Sequence, residues 1–401
     1  MEQGEFELEV TEMAHRGEAM GRLDGKVVFV PYAIPGEVVL VRPRLEKKDY
    51  LEAEIVEILK SSPYRIDGAC AGFGRCGGCN WQHIEYGYQL ELKKQVVENQ
   101  LQRVGKIANP TVKPVLPAVR QWHYRNRGDF SVNKEGYLGF RRRGTHKFVP
   151  VRECRLMHPQ INELLSRLQG KCTRTRSAAH KTSNVCIRYG VNTGEWLIQP
   201  FLDLPDVPTG QPFYREKLGE HLFVVSAASF FQVNTLQAEK LVAVVENCVQ
   251  PTGEDLLMDA YAGVGTFARA LAEKVRRVIA VEEAGSAAKD AAVNLQGFAN
   301  VQYFREKTEK FLGQLTEKVD VVIMDPPRAG CFRTALEALV RLAPAKVIYV
   351  SCDPATLARD LGFLVENGFT LTEVQPVDMF PQTYHIECVA TLNQGDGSFV
   401  S

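Results

Sequence analysis

Leu256-Leu-Met-Asp-Ala-Tyr-Ala-Gly-Val-Gly-Thr-Phe267 decides how this chain is read. An apolar run closes on Asp259, a glycine-spaced turn follows, and a helical pattern opens at Thr266. Gly263 and Gly265 let the backbone turn tightly and approach a ligand with no Cβ in the way. Outward from this stretch the pattern repeats. Helix candidates at 236–248, 266–273, 285–296, 334–342 and 354–366 alternate with strand candidates at 256–261, 278–281, 319–324 and 346–350. From about residue 229, then, the chain is expected to form an α/β domain: a doubly wound, Rossmann-like, mostly parallel sheet with helices on both faces.

Ligands of such sheets gather at the carboxyl ends of the strands. Glu282 ends the next strand candidate, seventeen residues after Gly265, where a carboxylate can accept both ribose hydroxyls of an adenosine cofactor. The third glycine of the dinucleotide fingerprint is missing, since position 268 is Ala, and no P-loop lysine follows. The expected cofactor therefore lacks a pyrophosphate, and S-adenosylmethionine fits better than NAD. Asp325-Pro-Pro-Arg328 follows the apolar strand at 319–324 and is expected to face the crevice of Gly263 and Glu282. An aromatic residue in place of Arg328 would suit methylation of an exocyclic amine, so Arg328 speaks against that chemistry.

In Lys346-Val-Ile-Tyr-Val-Ser-Cys-Asp-Pro-Ala-Thr356, Cys352 ends a strand candidate, and Asp353-Pro354 reads as an N-cap with proline at the first helical position. A thiol at a helix N-terminus tends toward a lowered pKa, against which the Asp353 charge works. Near the C-terminus, Asp378-Met-Phe-Pro-Gln-Thr-Tyr-His-Ile-Glu387 leads into an apolar run. Taken alone, Glu387 is a solvated strand-end charge; beside a thiol and a methyl donor it is a candidate general base.

Residues 1–61 show short strands split by Asp24-Gly25 and Pro35-Gly36, with Phe6, Leu8 and Val10 alternating with acidic residues. This suggests a small barrel of the OB type, which binds oligonucleotides. Apolar residues at near-helical spacing predict a helix from Tyr86 to about 104, stopped by Gly105. Residues 112–225 read as β-rich.

The 401 residues carry 48 Lys and Arg against 48 Asp and Glu. Arg120 to Arg155 nevertheless holds ten basic and three acidic residues, a local +7. Aromatics stand among these cations: Tyr124, Phe130, Tyr137 and Phe140 beside Arg125, Arg127 and Arg141-Arg-Arg143. That mixture suits folded RNA. The acidic N-terminus has no signal-peptide core, and the longest uncharged stretch, at 222–238, is too short and polar to cross a bilayer. A cytoplasmic protein without membrane association or an obligate protein partner is expected. Its ten cysteines then point to metal or catalysis before disulfides. Cys70, Cys76 and Cys79, with Cys154 as a fourth thiolate, suit either zinc or a four-iron cluster, and spacing does not separate them.

Phe231-Gln-Val-Asn234, Asp259-Ala-Tyr-Ala-Gly-Val-Gly265, Asp325-Pro-Pro-Arg-Ala-Gly330, Ser351-Cys-Asp-Pro-Ala-Thr-Leu-Ala-Arg-Asp-Leu361 and His385-Ile-Glu387 together resemble the RNA (uracil-5-)-methyltransferase family in order and spacing. The N-terminal barrel resembles the TRAM domain of its ribosomal-RNA members. The resemblance implies that Cys352 is the nucleophile and Glu387 the proton acceptor. It implies that Gln232, Tyr261, Glu282 and Asp325 hold S-adenosylmethionine, with Gly263, Gly265 and Thr266 in the same loop and Asp325 also near the uracil. It further implies a 4Fe-4S cluster on Cys70, Cys76, Cys79 and Cys154, and 23S ribosomal RNA as substrate. Two positions depart from the family: Asp353 stands where Asn is frequent after the nucleophile, and Thr266 where some members have Asn. The expected division is a TRAM barrel at 1–61, a central iron–sulfur and RNA-binding region at 62–228 whose helix at 86–105 packs on the C-terminal domain, and a methyltransferase domain at 229–401. Rival readings are the same chemistry on transfer RNA, a non-catalytic RNA-binding or chaperone protein, and a zinc-binding amino-methyltransferase.

Overall fold

A computed structural model describes residues 4–172 and 184–395. Every candidate site residue lies within them. Strands Phe6–Met13, Ala19–Leu23, Lys26–Val30, Val38–Glu46 and Tyr50–Lys60 close into a five-stranded barrel. Their period-two alternation turns Leu8, Val10, Val28, Val30, Val39, Val41, Leu51 and Ala53 inward. The core does not end with the last strand, because Trp81, Ile84, Leu92 and Val96 complete it from beyond residue 61.

Leu92 and Val96 belong to the helix Tyr86–Arg103, whose Val97 and Leu101 enter the core of the C-terminal sheet. One amphipathic helix therefore serves two cores. Its buried Lys93 meets the equally buried Asp378 at 2.6 Å, and Tyr86 Oη donates to the same carboxylate at 2.8 Å. The central region holds a five-stranded antiparallel sheet, the hairpin Phe213–Leu218/His221–Ser226 and the helix Pro159–Leu168.

The C-terminal sheet runs Val301–Phe304, Arg277–Val281, Leu256–Ala260, Val321–Met324, Lys346–Ser351, Glu387–Gln394, Phe369–Val377. Its first five strands are parallel and the last two antiparallel. Leu256, Met258 and Ala260 face one apolar layer, and Leu257, Ile323 and Ile348 the other. The doubly wound expectation agrees with this arrangement. Strand Val301–Phe304, helix Thr308–Gln314 and edge strand Phe369–Val377 are additions to the sequence reading. The two strands lie at the sheet edges, where one face is wet and the apolar run is broken.

Among the described residues no helix is long and apolar enough to cross a membrane.

Candidate active site

The carboxyl ends of four neighbouring parallel strands deliver Tyr261, Glu282, Asp325 and Cys352 to one rim. Asp259 is fully buried on its strand, two residues before Tyr261. Its Oδ2 accepts the Ala268 N–H at 2.8 Å and its Oδ1 has no partner. Burial, reinforced by the charges of Asp325 and Glu282, pushes its carboxyl up to about 8. Tyr261 adopts a left-handed backbone (φ 64°), a strained state for an aromatic residue, and its buried hydroxyl has only the Cys331 thiol beside it. Gly263 also has positive φ (55°), and the space a Cβ would take is open. Gly265 heads the helix Thr266–Leu271.

Glu282 accepts the N–H of Gly263 at 3.0 Å and of Ala284 at 2.7 Å. A carboxylate has about four lone-pair sites, so capacity for a diol remains. The orphaned Asp259 Oδ1, the open glycine cradle and the acidic strand end fit an adenosine cofactor. Gln232 is half-buried just before the helix Thr235–Val249. Its loop is held from the central region, which the sequence reading missed. Asn126 Nδ2 donates to the Gln232 carbonyl at 3.0 Å, and the buried Arg188 donates to the carbonyls of Ala227 and Ser229.

Cys352 and Glu387 meet through sheet register. Antiparallel pairing sets Ser351 opposite Cys388, so one step further Cys352 stands beside Glu387 across the strand ends. They are 35 positions apart in sequence, and the antiparallel strand Glu387–Gln394, last in the chain, brings the acid to the rim. Burial pushes the Cys352 thiol up to about 11, with Glu387 and Asp325 adding to the shift and Arg328, facing the sulfur, opposing it. Burial also carries Glu387 well above the ordinary carboxylate range; Asp325 adds to that and Arg328 again opposes. Asp325 itself is pushed up to about 7, first by burial and then by Glu282. The lowering expected from the helix N-terminus is thus outweighed. Asp353 does act as the N-cap, its Oδ1 accepting the N–H groups of Ala355 and Thr356, each at 3.0 Å.

Cys70, Cys76, Cys79 and Cys154 line one cavity of about 750 Å³. Backbone N–H groups point at their sulfurs: Gly72 at Cys70 (3.4 Å), Gly78 at Cys76, and Leu156 and Met157 at Cys154. Burial, with the three neighbouring thiols adding, pushes Cys79 up to about 12. Among the described residues no three His, Cys, Asp or Glu side chains converge closely enough to hold a single metal ion.

The aromatic and basic mixture at 120–155 is only partly a surface. Tyr124 and Phe130 are buried, and Phe140 stacks on Phe130. Arg127 pairs with Asp129 and Arg143 with Glu18. Strand alternation turned Phe130 into the central core with Phe140 packed against it, Tyr124 is buried with its hydroxyl donating to the Pro381 carbonyl at 3.0 Å, and Tyr137 is the exposed ring.

A family model described as tRNA (Uracil-5-)-methyltransferase matches residues 219–395, and a TRAM domain model matches residues 1–56. An uncharacterized RNA methyltransferase of Thermosynechococcus vestitus is 33% identical over 96% of this chain and 97% of its own. Another, from Streptomyces coelicolor, is 36% identical over 97% of this chain and 92% of its own. The crystal structure of Pyrococcus abyssi tRNA (uracil-54, C5)-methyltransferase in complex with S-adenosyl-L-homocysteine superposes with a TM-score of 0.75 at 27% identity, covering 96% of this chain and all of that one. Likeness over nearly the full length, together with a rim built for an adenosine cofactor, leads to one assignment: the chain belongs to the RNA (uracil-5-)-methyltransferase family, as an S-adenosylmethionine-dependent enzyme that methylates carbon 5 of uracil in RNA and carries an N-terminal TRAM domain.

Proposed function

We propose that Cys352 and Glu387 carry the reaction, on uridine in 23S ribosomal RNA. The observation that carries the residue assignment is the register of the last strand, which pairs a thiol with a buried carboxyl at the mouth of the cofactor rim. Carbon 5 of uracil is a poor nucleophile. Addition of the Cys352 sulfur to carbon 6 converts the ring to an enolate whose carbon 5 is nucleophilic. Bound S-adenosylmethionine supplies an electrophilic methyl group. Glu387 then takes the carbon 5 proton, the carbon 5–carbon 6 double bond re-forms, and the sulfur leaves as thiolate. A carboxylate whose environment favours its protonated form is a strong proton acceptor at that step. Gln232, Tyr261, Gly263, Gly265, Thr266, Glu282 and Asp325 hold the cofactor, with Asp325 shared with the base. To reach the half-buried thiol the uridine leaves its stack.

Cys70, Cys76, Cys79 and Cys154 would hold a 4Fe-4S cluster. Support comes from N–H groups aimed at the sulfurs, a common feature of such sites, and from the four thiols lining one cavity. A cluster there is structural, since methyl transfer involves no redox step. The proposed division is 1–61, 62–228 and 229–401, with the helix Tyr86–Arg103 shared between its neighbours, and the proposed location is cytoplasmic.

Ribosomal RNA is placed first on the TRAM barrel and the cysteine spacing. The likeness to the Pyrococcus enzyme, which acts on tRNA by its name, supports transfer RNA as the second reading. Nucleoside mass spectrometry decides between them. Unmodified ribosomal and transfer RNA are incubated separately with S-adenosylmethionine and either the native protein or Cys352→Ala. Cys352-dependent 5-methyluridine is expected in ribosomal RNA; product in transfer RNA alone reverses the substrate assignment, and product from Cys352→Ala removes the nucleophile assignment.

A further inference from the structure

The site has a wall that the methyltransferase sheet does not supply. A second cavity, of about 130 Å³, contains Cys352 and is lined by Arg328, Tyr384 and His385, and also by His15 and Arg16 from the first turn of the barrel. Its size is close to the about 150 Å³ that accommodates a benzene ring, as expected where one extruded base enters.

Three ties hold the turn in place. Gly17 lies flat against Tyr384, where a Cβ would come within 2.5 Å of the Tyr384 Cβ, and its φ of 81° suits glycine. The buried indole of Trp81, two residues after Cys79, donates to the Gly17 carbonyl at 3.0 Å. Arg143 holds Glu18 at 2.6 Å. Trp81 also donates its backbone N–H to the Gln382 carbonyl at 3.1 Å, so one residue fixes the barrel turn and the loop carrying Tyr384 and His385.

Two guanidinium groups stand at this mouth outside ion-pair distance of a carboxylate, Arg328 facing the Cys352 sulfur and felt by Glu387. Among the described residues neither Arg16 nor Arg328 forms an ion pair, whereas Arg42, Arg65, Arg103, Arg215 and Arg277 all do. Asp353, the carboxylate on the rim, is occupied in capping its helix. His385 is pushed down to about 4 by burial and by Arg328, Lys93 and Arg125, so it is neutral near pH 7. An anion is therefore favoured here, and a base turned out of its stack brings its own phosphate to the entrance.

We infer that the barrel turn at 14–18 is a working wall of the target-base pocket, and that Arg16, opposite Arg328, forms a subsite for the RNA phosphate flanking the extruded uridine. The inference rests on the Cys352 reading above.

Its test measures initial rates against RNA concentration at several salt concentrations, using whichever of the two RNAs the wild type methylates. The variants are Arg16→Ala, Arg16→Lys and, as an equal charge change elsewhere on the barrel, Arg22→Ala. Arg16→Ala is expected to raise KM for RNA roughly tenfold and to lower the salt slope by about 0.7 to 0.9, with the dissociation constant for S-adenosylmethionine unchanged. Arg16→Lys recovers most of the loss, and Arg22→Ala stays near wild type. If Arg16→Ala is no worse than Arg22→Ala, the turn is only part of a diffuse basic surface and the subsite is overturned. A changed affinity for S-adenosylmethionine overturns it too, by assigning Arg16 to the cofactor. A wild type that methylates neither RNA overturns the underlying reading and the subsite with it.

Discussion

Cys352 is held on the protonated side of neutrality and Glu387 well above the ordinary carboxylate range, and each makes a prediction. With the thiol near 11, thiolate is scarce at pH 7. Covalent capture of RNA carrying 5-fluorouridine, whose carbon 5 has no removable proton after methyl transfer, should accelerate about tenfold per pH unit above neutrality. A flat profile would mean that bound RNA and Arg328 already ionise the sulfur. In Glu387→Gln the Cys352 sulfur should still add to uracil and carbon 5 still take the methyl group, but turnover should fall by about 10²- to 10⁴-fold. Methylated protein–RNA adduct should then accumulate on denaturing gels, and its absence would assign the base to another group. The same substitution tests linkage. A carboxyl whose folded pKa is raised binds more protons folded than unfolded. Its favourable contribution is complete below the unfolded value of about 4.3 and is lost as pH rises toward the folded value. Glu387→Gln should therefore raise Tm, more at pH 8 than near pH 4.

At the scale of elements, the loop at 378–385 is anchored by a helix nearly 300 positions away. Lys93 Nζ reaches Asp378 at 2.6 Å and the Phe380 carbonyl at 3.2 Å. Burial drives the Lys93 ammonium down while the Asp378 charge opposes that. Lys93→Met leaves the carboxylate buried without its cation and should destabilise the protein by about 3–5 kcal/mol. Urea titration measures this, and a loss below about 1 kcal/mol would show that Tyr86 Oη and the Phe380 N–H suffice. The alternation of apolar strands with amphipathic helices was legible because its periods are local. The helix Pro354–Glu366 emerged with its expected bounds, since Asp353-Pro354 is a chemical start signal. The pairing of Cys352 with Glu387 was legible only through family likeness, because it depends on the register of a reversed strand. The anchors Lys93, Asn126 and Arg188 were not legible, because each reads as an ordinary polar residue until the fold buries it. Phe130 misled for the converse reason, since composition does not state which face of a strand is wet, and Tyr124 because its partner Pro381 is more than 250 positions away.

For the whole molecule, the cysteine cavity stands next in sequence to Trp81, two residues beyond Cys79, which ties the barrel turn to the loop at 378–385. A bound four-iron cluster should colour the purified protein through thiolate-to-iron charge transfer, which zinc with its filled d shell cannot do. A colourless protein with zinc bound would reverse that assignment. Bleaching the cluster should loosen the pocket at Cys352 before it disturbs Glu282. Slower capture of RNA with unchanged affinity for S-adenosylmethionine is the expected pair of results, and a parallel loss of both would place the cluster's influence on the whole fold.

The helix Tyr86–Arg103 gives Leu92 and Val96 to the barrel and Val97 and Leu101 to the sheet. A barrel cut from the chain after its last strand would expose apolar residues meant for that helix, and would be prone to self-association. In this protein the TRAM fold is thus not a portable cassette. Recombination that grafted it onto another enzyme would have to carry the following forty residues as well, so its inheritance is tied to that of the catalytic half.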